Sequence, residues 1–436
     1  MNIRFYNARI LIQEEHADAA QSGTSVIQGE LWVQKDRISY IGPGGDAAHE
    51  EPVWDEQINV NGNLLMPGLK NAHAHSVMTF LRSYADDLPL QSWLFDKIFP
   101  MEAKLSGEDA YWASKLAIME YVSGGITAAF DMYKLKNDIA RAAVESGFRM
   151  VFCGDMNDFG GTPEITEEEY VRFNSMDPLI SYQLGFHAEY TTARPLMHGL
   201  AQIAHKYKAP VYLHLSETAS EVAGCFERYG VSPVVLMDQL GMFEYGGGGF
   251  HCVHVSEADM EILKRRGVWA VINSCSNAKL ASGIAPVFKL WKQGVPLAIG
   301  TDGASSNNAL DMWKEMYLTA VLAKLKEKDA EALPAEQVLR MATVGGAHAM
   351  CLKDCDVLAV GKKADLIMIN LNMPNMQPQN HLIHNLVYSG AARNVSLTMI
   401  NGRIVYRDGQ YFIGDDPETI YREVNSTIKR MTANKI

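Results

Sequence analysis

Eight apolar runs recur along the central part of the chain, and most are separated by segments with helical periodicity. Such alternation is typical of parallel βαβ units. Eight units of this kind close naturally into an α/β fold, the (β/α)8 barrel of the TIM type. The runs cover residues 64–75, 127–133, 149–156, 180–190, 210–216, 249–255, 268–274 and 295–301.

A doubly wound open sheet is the alternative architecture for the same alternation. That fold commonly carries a Gly-x-Gly-x-x-Gly turn or a phosphate-binding loop after its first strand. Neither pattern occurs in the sequence at that place. The barrel is therefore the favoured prediction.

Short strands and turns flank the barrel region on both sides. Alternating apolar residues occupy residues 29–40, and a similar texture returns in residues 364–369 and 395–400, before the hairpin signal Asn401-Gly402. We predict a small β-sandwich domain built from both termini, residues 1–65 and 357–436, with the barrel spanning residues 66–356. A length of 436 residues accommodates both units, since α/β barrels reach about 250 residues.

Charge and composition narrow the classes of partner. The net charge is −12 and lysines and arginines form no cluster, so nucleic acid is not expected as a partner. The sequence lacks both a run of about 18 apolar residues and a cleavable leader, which predicts a cytoplasmic protein without a membrane partner. Six scattered cysteines without a C-x-x-C pair favour reduced thiols. Homo-oligomerisation stays open.

Polar residues at the carboxyl ends of the runs indicate a metal site, because active groups of such barrels lie at those ends. His73 and His75 close the first run, and strand alternation points both imidazoles to one face, about 6.6 Å apart. His214 closes the fifth run and Asp302 follows the eighth. Three imidazoles and one carboxylate suit Zn²⁺, and Fe²⁺ also fits this donor set.

Glu217 follows His214 by three residues and precedes a helix-start signal, Thr218 with Glu221, that is typical of a capping box. Glu217 is therefore expected in the loop after the fifth strand. A carboxylate beside a metal-activated water can take a proton and pass it to a leaving group. We predict that Glu217 is the general acid and base.

Two further runs end in histidine. His251 and His254 share the sixth run, but their odd separation sends them to opposite faces of a strand, so only one can face the site. His187 closes the fourth run and either contacts a ligand or ties down its loop.

These motifs together resemble the amidohydrolase superfamily, and within it the methylthioadenosine/S-adenosylhomocysteine deaminase family with its chlorohydrolase relatives. The resemblance extends over nearly the whole chain. The matching stretches are residues 66–75, 93–95, 100–102, 214–218, 251–254, 276–280, 283–286, 300–303 and 361–366.

The resemblance implies one divalent metal ion and assigns roles to individual residues. The metal ligands would be His73, His75, His214 and Asp302, with Asp302, Glu217 and His251 forming the catalytic set. The fourth run ends without a lysine that could bridge two metals, so a mononuclear centre is expected. The substrate residues implied by the family are Glu102 for the ribose hydroxyls, His187 for the purine, and Trp93 and Ser306 nearby.

The activity implied by the resemblance is deamination of an adenine nucleoside to its inosine analogue with release of ammonia. Methylthioadenosine, 5′-deoxyadenosine, adenosine and S-adenosylhomocysteine are the candidate substrates. The alternative is an aminohydrolase or chlorohydrolase that acts on a free nucleobase, a pterin or an s-triazine. Glu102 favours the nucleoside, because a bare heterocycle has no ribose for it to bind. An inactive scaffold is a third reading, and the retained ligand set argues against it.

One departure from the family pattern concerns the 5′ group. Relatives that accept S-adenosylhomocysteine carry arginines after the third strand, whereas residues 152–163 contain none. Arg194, from the next loop, is the alternative partner for a substrate carboxylate. We expect a nucleoside with an uncharged 5′ group to be preferred.

Overall fold

The computed structural model describes residues 1–14, 23–44 and 51–433. Its strands are β1 (Asn2–Gln13), β2 (Thr24–Gln34), β3 (Arg37–Gly42), β4 (Glu56–Asn59), β5 (Leu64–Pro67), β6 (Leu69–His75), β7 (Ile126–Met132), β8 (Arg149–Cys153), β9 (Ile180–Ala188), β10 (Val211–Leu215), β11 (Gly247–His251), β12 (Val268–Ile272), β13 (Leu297–Ile299), β14 (Asp302–Gly303), β15 (Leu366–Ile369), β16 (Val395–Ile400), β17 (Arg403–Arg407) and β18 (Gln410–Tyr411).

The α-helices are α1 (Leu90–Ser92), α2 (Phe99–Glu102), α3 (Gly107–Ser123), α4 (Lys136–Ser146), α5 (Pro163–Phe173), α6 (Arg194–Tyr207), α7 (Ala219–Tyr229), α8 (Pro233–Gln239), α9 (Glu257–Arg266), α10 (Ser274–Lys279), α11 (Val287–Gln293), α12 (Met312–Glu327), α13 (Ala335–Arg340), α14 (Gly346–Ala349), α15 (Leu382–Tyr388) and α16 (Pro417–Thr432). Tighter or wider helical turns cover Ser76–Leu81, Trp93–Ile98, Glu189–Thr191, Met341–Gly345, Pro374–Met376 and Ala392–Asn394.

Parallel strands β6 to β13 follow one another around a barrel, with helices in the connections. The eighth strand closes the ring in two pieces. β13 pairs with β12, and after two residues β14 pairs with β6 through Asp302 opposite Ala74. The predicted (β/α)8 barrel is confirmed. The sixth run ends earlier than expected, at His251, where left-handed backbone stops the strand.

A second sheet combines both ends of the chain, in the order β18-β17-β16-β15-β5-β1-β2-β3, with β4 beside β1. Its own core is lined by residues from both ends, such as Phe5, Leu31, Leu366 and Leu397. The predicted separate β unit from both termini is thereby confirmed. The proposed domain limits, residues 1–65 with 357–436 and residues 66–356, stay a prediction, and residues 15–22, 45–50 and 434–436 lie outside the described residues.

The predicted first run, residues 64–75, is two strands rather than one. β5 pairs with β15 up to Pro67, and β6 then pairs with β7 in the barrel. The change of partner occurs at Gly68, where a Cβ atom would lie only 2.1 Å from the Thr127 side chain. Glycine is needed because the backbone passes too close to Thr127 for any side chain.

The barrel interior is filled by apolar side chains from neighbouring strands, including Ala72, Phe130, Val151 and Phe250. A packed interior leaves room for chemistry only at the strand ends. All six cysteines are unpaired, as the sequence predicts. None of the helices in the described part of the chain has both the length and the apolar character needed to cross a bilayer.

Candidate active site

A cavity of about 710 Å³ opens at the carboxyl ends of the barrel strands. Most of the predicted site residues line it: His75, His214, Glu217, His251 and Asp302 at its floor, with Trp93, Glu102 and His187 on its walls. His73 lies beneath this floor, fully buried, with its ring stacked on Phe250 at a centroid distance of 3.8 Å.

Asp302 brings the first and last barrel strands together at the floor of the cavity. Its Oδ1 lies 3.2 Å from His75 Nε2 and 3.5 Å from His73 Nε2. His214 Nε2 approaches His75 Nε2 to 3.3 Å. The four predicted metal ligands therefore converge on one point.

The ring nitrogens are arranged for a cation. His75 Nδ1 and His214 Nδ1 face the backbone carbonyls of Met132 and His187, at 2.5 and 2.7 Å, so both Nδ1 atoms donate and both Nε2 lone pairs face inward. Lone pairs 3.3 Å apart repel unless a positive charge lies between them. The donor set fits a divalent metal ion.

The protonation states of these groups also favour a bound cation. Burial lowers the pKa of His73 to about 3 and that of His214 well below its ordinary value, so both are neutral ligands. Burial also opposes charge on His75, but the Asp302 carboxylate outweighs it and raises the pKa of His75 to about 9. The buried Asp302 carboxylate thus attracts positive charge, which either a proton on His75 or a bound cation can supply.

Strained backbone presents the groups at three strand ends. Ser216, His251 and Asp302 have φ angles of 52°, 75° and 61°. Left-handed conformations cost non-glycine residues about 1–3 kcal/mol, and persist where the surrounding structure fixes them. At Asp302, hydroxyl groups of Ser276 and Ser306 donate to Oδ2 at 2.6 and 2.9 Å and hold the carboxylate in place.

Glu217 lies in the loop after β10 and is 5% exposed. Its Oε2 is 3.9 Å from His251 Nε2. Burial raises the pKa of Glu217 above its ordinary value, which suits a group that takes and returns a proton near neutral pH.

The Glu217 loop is held by Glu221, one helical turn further on. The Thr218 side chain accepts the backbone N–H of Glu221, as the capping signal predicts. The Glu221 carboxylate, however, reaches beyond Thr218: its two oxygens accept the backbone N–H groups of Ser216 at 2.7 Å and Glu217 at 2.8 Å. The sequence pattern predicts Glu221 only as part of a helix cap, whereas in the structure its carboxylate also holds the Glu217 loop.

Only one member of the His251 and His254 pair lines the cavity. His251 donates from Nδ1 to Asn277 Oδ1 at 2.7 Å, which leaves its Nε2 as an acceptor toward Glu217. His254 instead contacts the Ser282 carbonyl at 2.8 Å. The partner Asn277 belongs to a matching stretch of the sequence but had no predicted role.

The predicted substrate residues fall in two places. Trp93, Glu102 and His187 line the cavity, with His187 Nδ1 2.8 Å from Thr191 Oγ1. Ser306 does not line it: the residue is buried behind Asp302 and contacts that carboxylate.

The outer part of the cavity carries charged groups that were not predicted. The buried Lys136 ammonium pairs with both Asp155 and Glu169. Lys134 is exposed, lines the same wall, and donates to the Glu102 backbone carbonyl at 2.8 Å. Arg194, the alternative cation suggested by the sequence, is not among the lining residues.

An eight-stranded barrel with three imidazoles, one carboxylate and a neighbouring glutamate at its strand ends defines the class of metal-dependent hydrolases. The profile of the amidohydrolase family matches residues 64–405. The chain belongs to the amidohydrolase family, as the sequence resemblance predicts.

Within that family, the chain is 39% identical over 405 residues to a 5-methylthioadenosine/S-adenosylhomocysteine deaminase of Caldicellulosiruptor saccharolyticus, covering 93% of this chain and 94% of the relative. A crystal structure of an adenosine deaminase from Xanthomonas campestris with bound zinc is 32% identical, with a TM-score of 0.91 over 99% of this chain and 98% of the other. A zinc complex of an atrazine chlorohydrolase from Arthrobacter aurescens shares the fold, with a TM-score of 0.86 at 18% identity over 98% and 100% of the two chains.

Proposed function

We propose that this protein is a metal-dependent aminohydrolase that deaminates the adenine ring of a nucleoside and releases ammonia. The observation that carries the proposal is the presence of the buried Glu102 carboxylate in the same cavity as Glu217 and the imidazole cluster. A second carboxylate on the wall offers an acceptor for sugar hydroxyls, which a bare heterocycle lacks. Relatives with 39% and 32% identity that are named as deaminases of adenine nucleosides support the same conclusion.

We propose that His73, His75, His214 and Asp302 hold one Zn²⁺ ion, and Fe²⁺ is the alternative that the same donors accept. The zinc described for the Xanthomonas campestris protein supports this choice. When bound, the ion supplies Lewis-acid activation of a water molecule.

The proton transfers fall to Glu217. In the proposed reaction the water oxygen attacks C6 of the adenine ring, while Glu217 takes a water proton and delivers it to ring N1. Glu217 then carries the second water proton from the C6 hydroxyl to the exocyclic amine, the C6–N bond breaks, ammonia leaves and a C6 carbonyl remains. His251 Nε2, fixed as an acceptor by the Asn277 hydrogen bond, orients the attacking water.

The substrate is held on the cavity walls. Glu102 accepts hydrogen bonds from the ribose hydroxyls, His187 contacts the purine, and Trp93 covers the purine ring. The location of Ser306 behind Asp302 supports a role in holding that carboxylate rather than a direct substrate contact.

The alternative substrates are a free nucleobase, a pterin or an s-triazine. A screen that measures ammonia release separates them: purified protein with added Zn²⁺ is incubated with adenosine, 5′-deoxyadenosine, methylthioadenosine, S-adenosylhomocysteine, guanine, cytosine and s-triazines. The proposal expects turnover of adenine nucleosides, with kcat lower by about 10²-fold or more in Glu217→Gln. Turnover confined to guanine, cytosine or triazines would overturn it.

A further inference from the structure

Glu102 is held on two sides by consecutive residues of one strand end. The hydroxyl of Tyr133 donates to Glu102 Oε1 at 2.6 Å, and Lys134 Nζ donates to the Glu102 backbone carbonyl at 2.8 Å. Tyr133 is 4% exposed and Glu102 is 8% exposed. The contact is therefore a buried, charge-assisted hydrogen bond, which is stronger than an exposed one.

We propose that Tyr133 is a positioning residue for sugar recognition, which fixes Glu102 so that its second oxygen faces the ribose hydroxyls. The inference rests on the proposed nucleoside deaminase function and adds a residue that the family motifs do not contain. Within residues 1–14, 23–44 and 51–433, Oε1 receives the Tyr133 hydrogen bond and Oε2 receives none. The oxygen without a protein partner belongs to a residue that lines the cavity.

The hydrogen bond also favours the ionised form of Glu102. Burial raises the pKa of Glu102, and the Tyr133 hydroxyl opposes that shift because it donates to the ionised carboxylate. An ionised carboxylate can only accept hydrogen bonds, which matches two ribose hydroxyls that donate.

The same strand end is tied to the metal centre. The carbonyl of Met132, the residue before Tyr133, accepts from His75 Nδ1 at 2.5 Å. Residues 132–134 thus contact a ligand of the reaction centre at one end and Glu102 at the other. This connection sets the distance between Glu102 and the imidazole cluster. Hydrogen bonds to the ribose can then place the reacting ring carbon correctly, so that binding energy at a remote group promotes the reaction.

The inference predicts that loss of the Tyr133 hydroxyl lowers kcat/KM only for substrates with a ribose diol. For Tyr133→Phe we expect kcat/KM for adenosine to fall about tenfold or more, since hydrogen bonds to charged groups are the stronger kind. For 2′,3′-dideoxyadenosine, which lacks both hydroxyls, we expect a change of less than about twofold. Both substrates share the adenine and the 5′-hydroxyl, so they report the same chemistry.

The experiment compares wild type, Tyr133→Phe and Glu102→Gln with adenosine and 2′,3′-dideoxyadenosine, after metal content and melting temperature have been matched. A double variant should lose no more on adenosine than Glu102→Gln alone, because both changes remove the same interaction. Equal losses on both substrates would mean that Tyr133 is merely structural and would overturn the inference.

Lys134→Ala provides a second route if Tyr133→Phe does not fold, since Lys134 is exposed. It should reduce kcat/KM for adenosine more than for the dideoxy substrate, and an equal reduction contradicts the inference. Failure of the proposed function looks different: metal-loaded wild type would then deaminate neither nucleoside, and the role assigned to Tyr133 would fall with it.

Discussion

Glu217 Oε2 and His251 Nε2 face each other at 3.9 Å across the floor of the cavity. Each group is fixed from behind, Glu217 by the backbone bonds of its loop to Glu221 and His251 by Asn277. A water molecule beside the pair, within hydrogen-bond distance of both atoms, meets one group that takes a proton and one that accepts a hydrogen bond.

Glu217→Gln should keep the metal and lose most of the activity. The amide preserves the shape of the side chain but cannot take up a proton, so kcat is expected to fall by about 10²-fold or more. Metal analysis and steady-state kinetics on the same preparation test this. A variant with wild-type kcat would show that another group moves the proton.

His214→Ala should lose metal and activity together, because His214 Nε2 lies at the convergence point of the ligands. The matched control is His254→Ala, which removes an imidazole directed at the Ser282 carbonyl and should retain the ion. Metal content after dialysis distinguishes them. Equal metal retention in both variants would remove His214 from the ligand set.

The native protein should contain one tightly bound divalent ion per chain. Three imidazoles and Asp302 supply the donors for one ion, and β9 ends with Phe186-His187-Ala188, without a lysine that could bridge two metals. Elemental analysis of purified protein gives the number directly. Two ions at full occupancy within this site would contradict the prediction.

Glu315 should make the folded state less stable as pH rises. Its carboxyl group is fully buried beside Asn307 and the Cys275 backbone N–H, and burial raises its pKa from 4.5 to about 8. The folded state therefore binds this proton more tightly than the unfolded state, so its stabilising contribution is complete below pH 4.5 and is lost as pH rises through about 8.

The free energy of unfolding of wild type relative to Glu315→Gln should accordingly fall between these pH values, by up to about 1.4 kcal/mol per pH unit. Urea unfolding of the metal-loaded proteins at several pH values measures the difference. A difference that does not change with pH would show that Glu315 titrates near its ordinary value.

Methylthioadenosine should be preferred over S-adenosylhomocysteine by one or two orders of magnitude in kcat/KM. The Lys136 ammonium in the outer cavity faces two carboxylates, Asp155 and Glu169, so this group has no excess positive charge for a substrate carboxylate. Loss of hydration without a cationic partner costs several kcal/mol, and about 1.4 kcal/mol corresponds to tenfold.

Lys134 is the residue to test if methylthioadenosine is not preferred over S-adenosylhomocysteine. Equal values for the two substrates would mean that Lys134, which lies on the same wall, captures the carboxylate. Lys134→Ala would then impair S-adenosylhomocysteine selectively.

The barrel and the convergence of its polar groups could be predicted because both depend on strand positions. Strand alternation and the common edge of parallel strands are enough to bring His73, His214 and Asp302 together. The break at Gly68 could not be predicted, because it depends on how closely the backbone passes Thr127. Local apolar pattern is the same on both sides of that residue.

Side-chain partners were the other part that sequence patterns could not supply. Glu221 matches a helix cap, yet its carboxylate extends to the Glu217 loop, a choice that depends on the left-handed turn at Ser216. Lys134 and Lys136 enter the cavity from the connection after β7, a stretch in which no motif indicates a cation site.

Because β14 closes the barrel against β6, the proposed metal site depends on contacts between distant parts of the chain. Asn71 and Thr301, joined by a hydrogen bond beside the ligands, are 230 positions apart in the chain. A contact this distant costs more loop entropy to form than a local contact does. If Asp302 binds the proposed ion, the complete set of four ligands exists only when β14 has docked against β6.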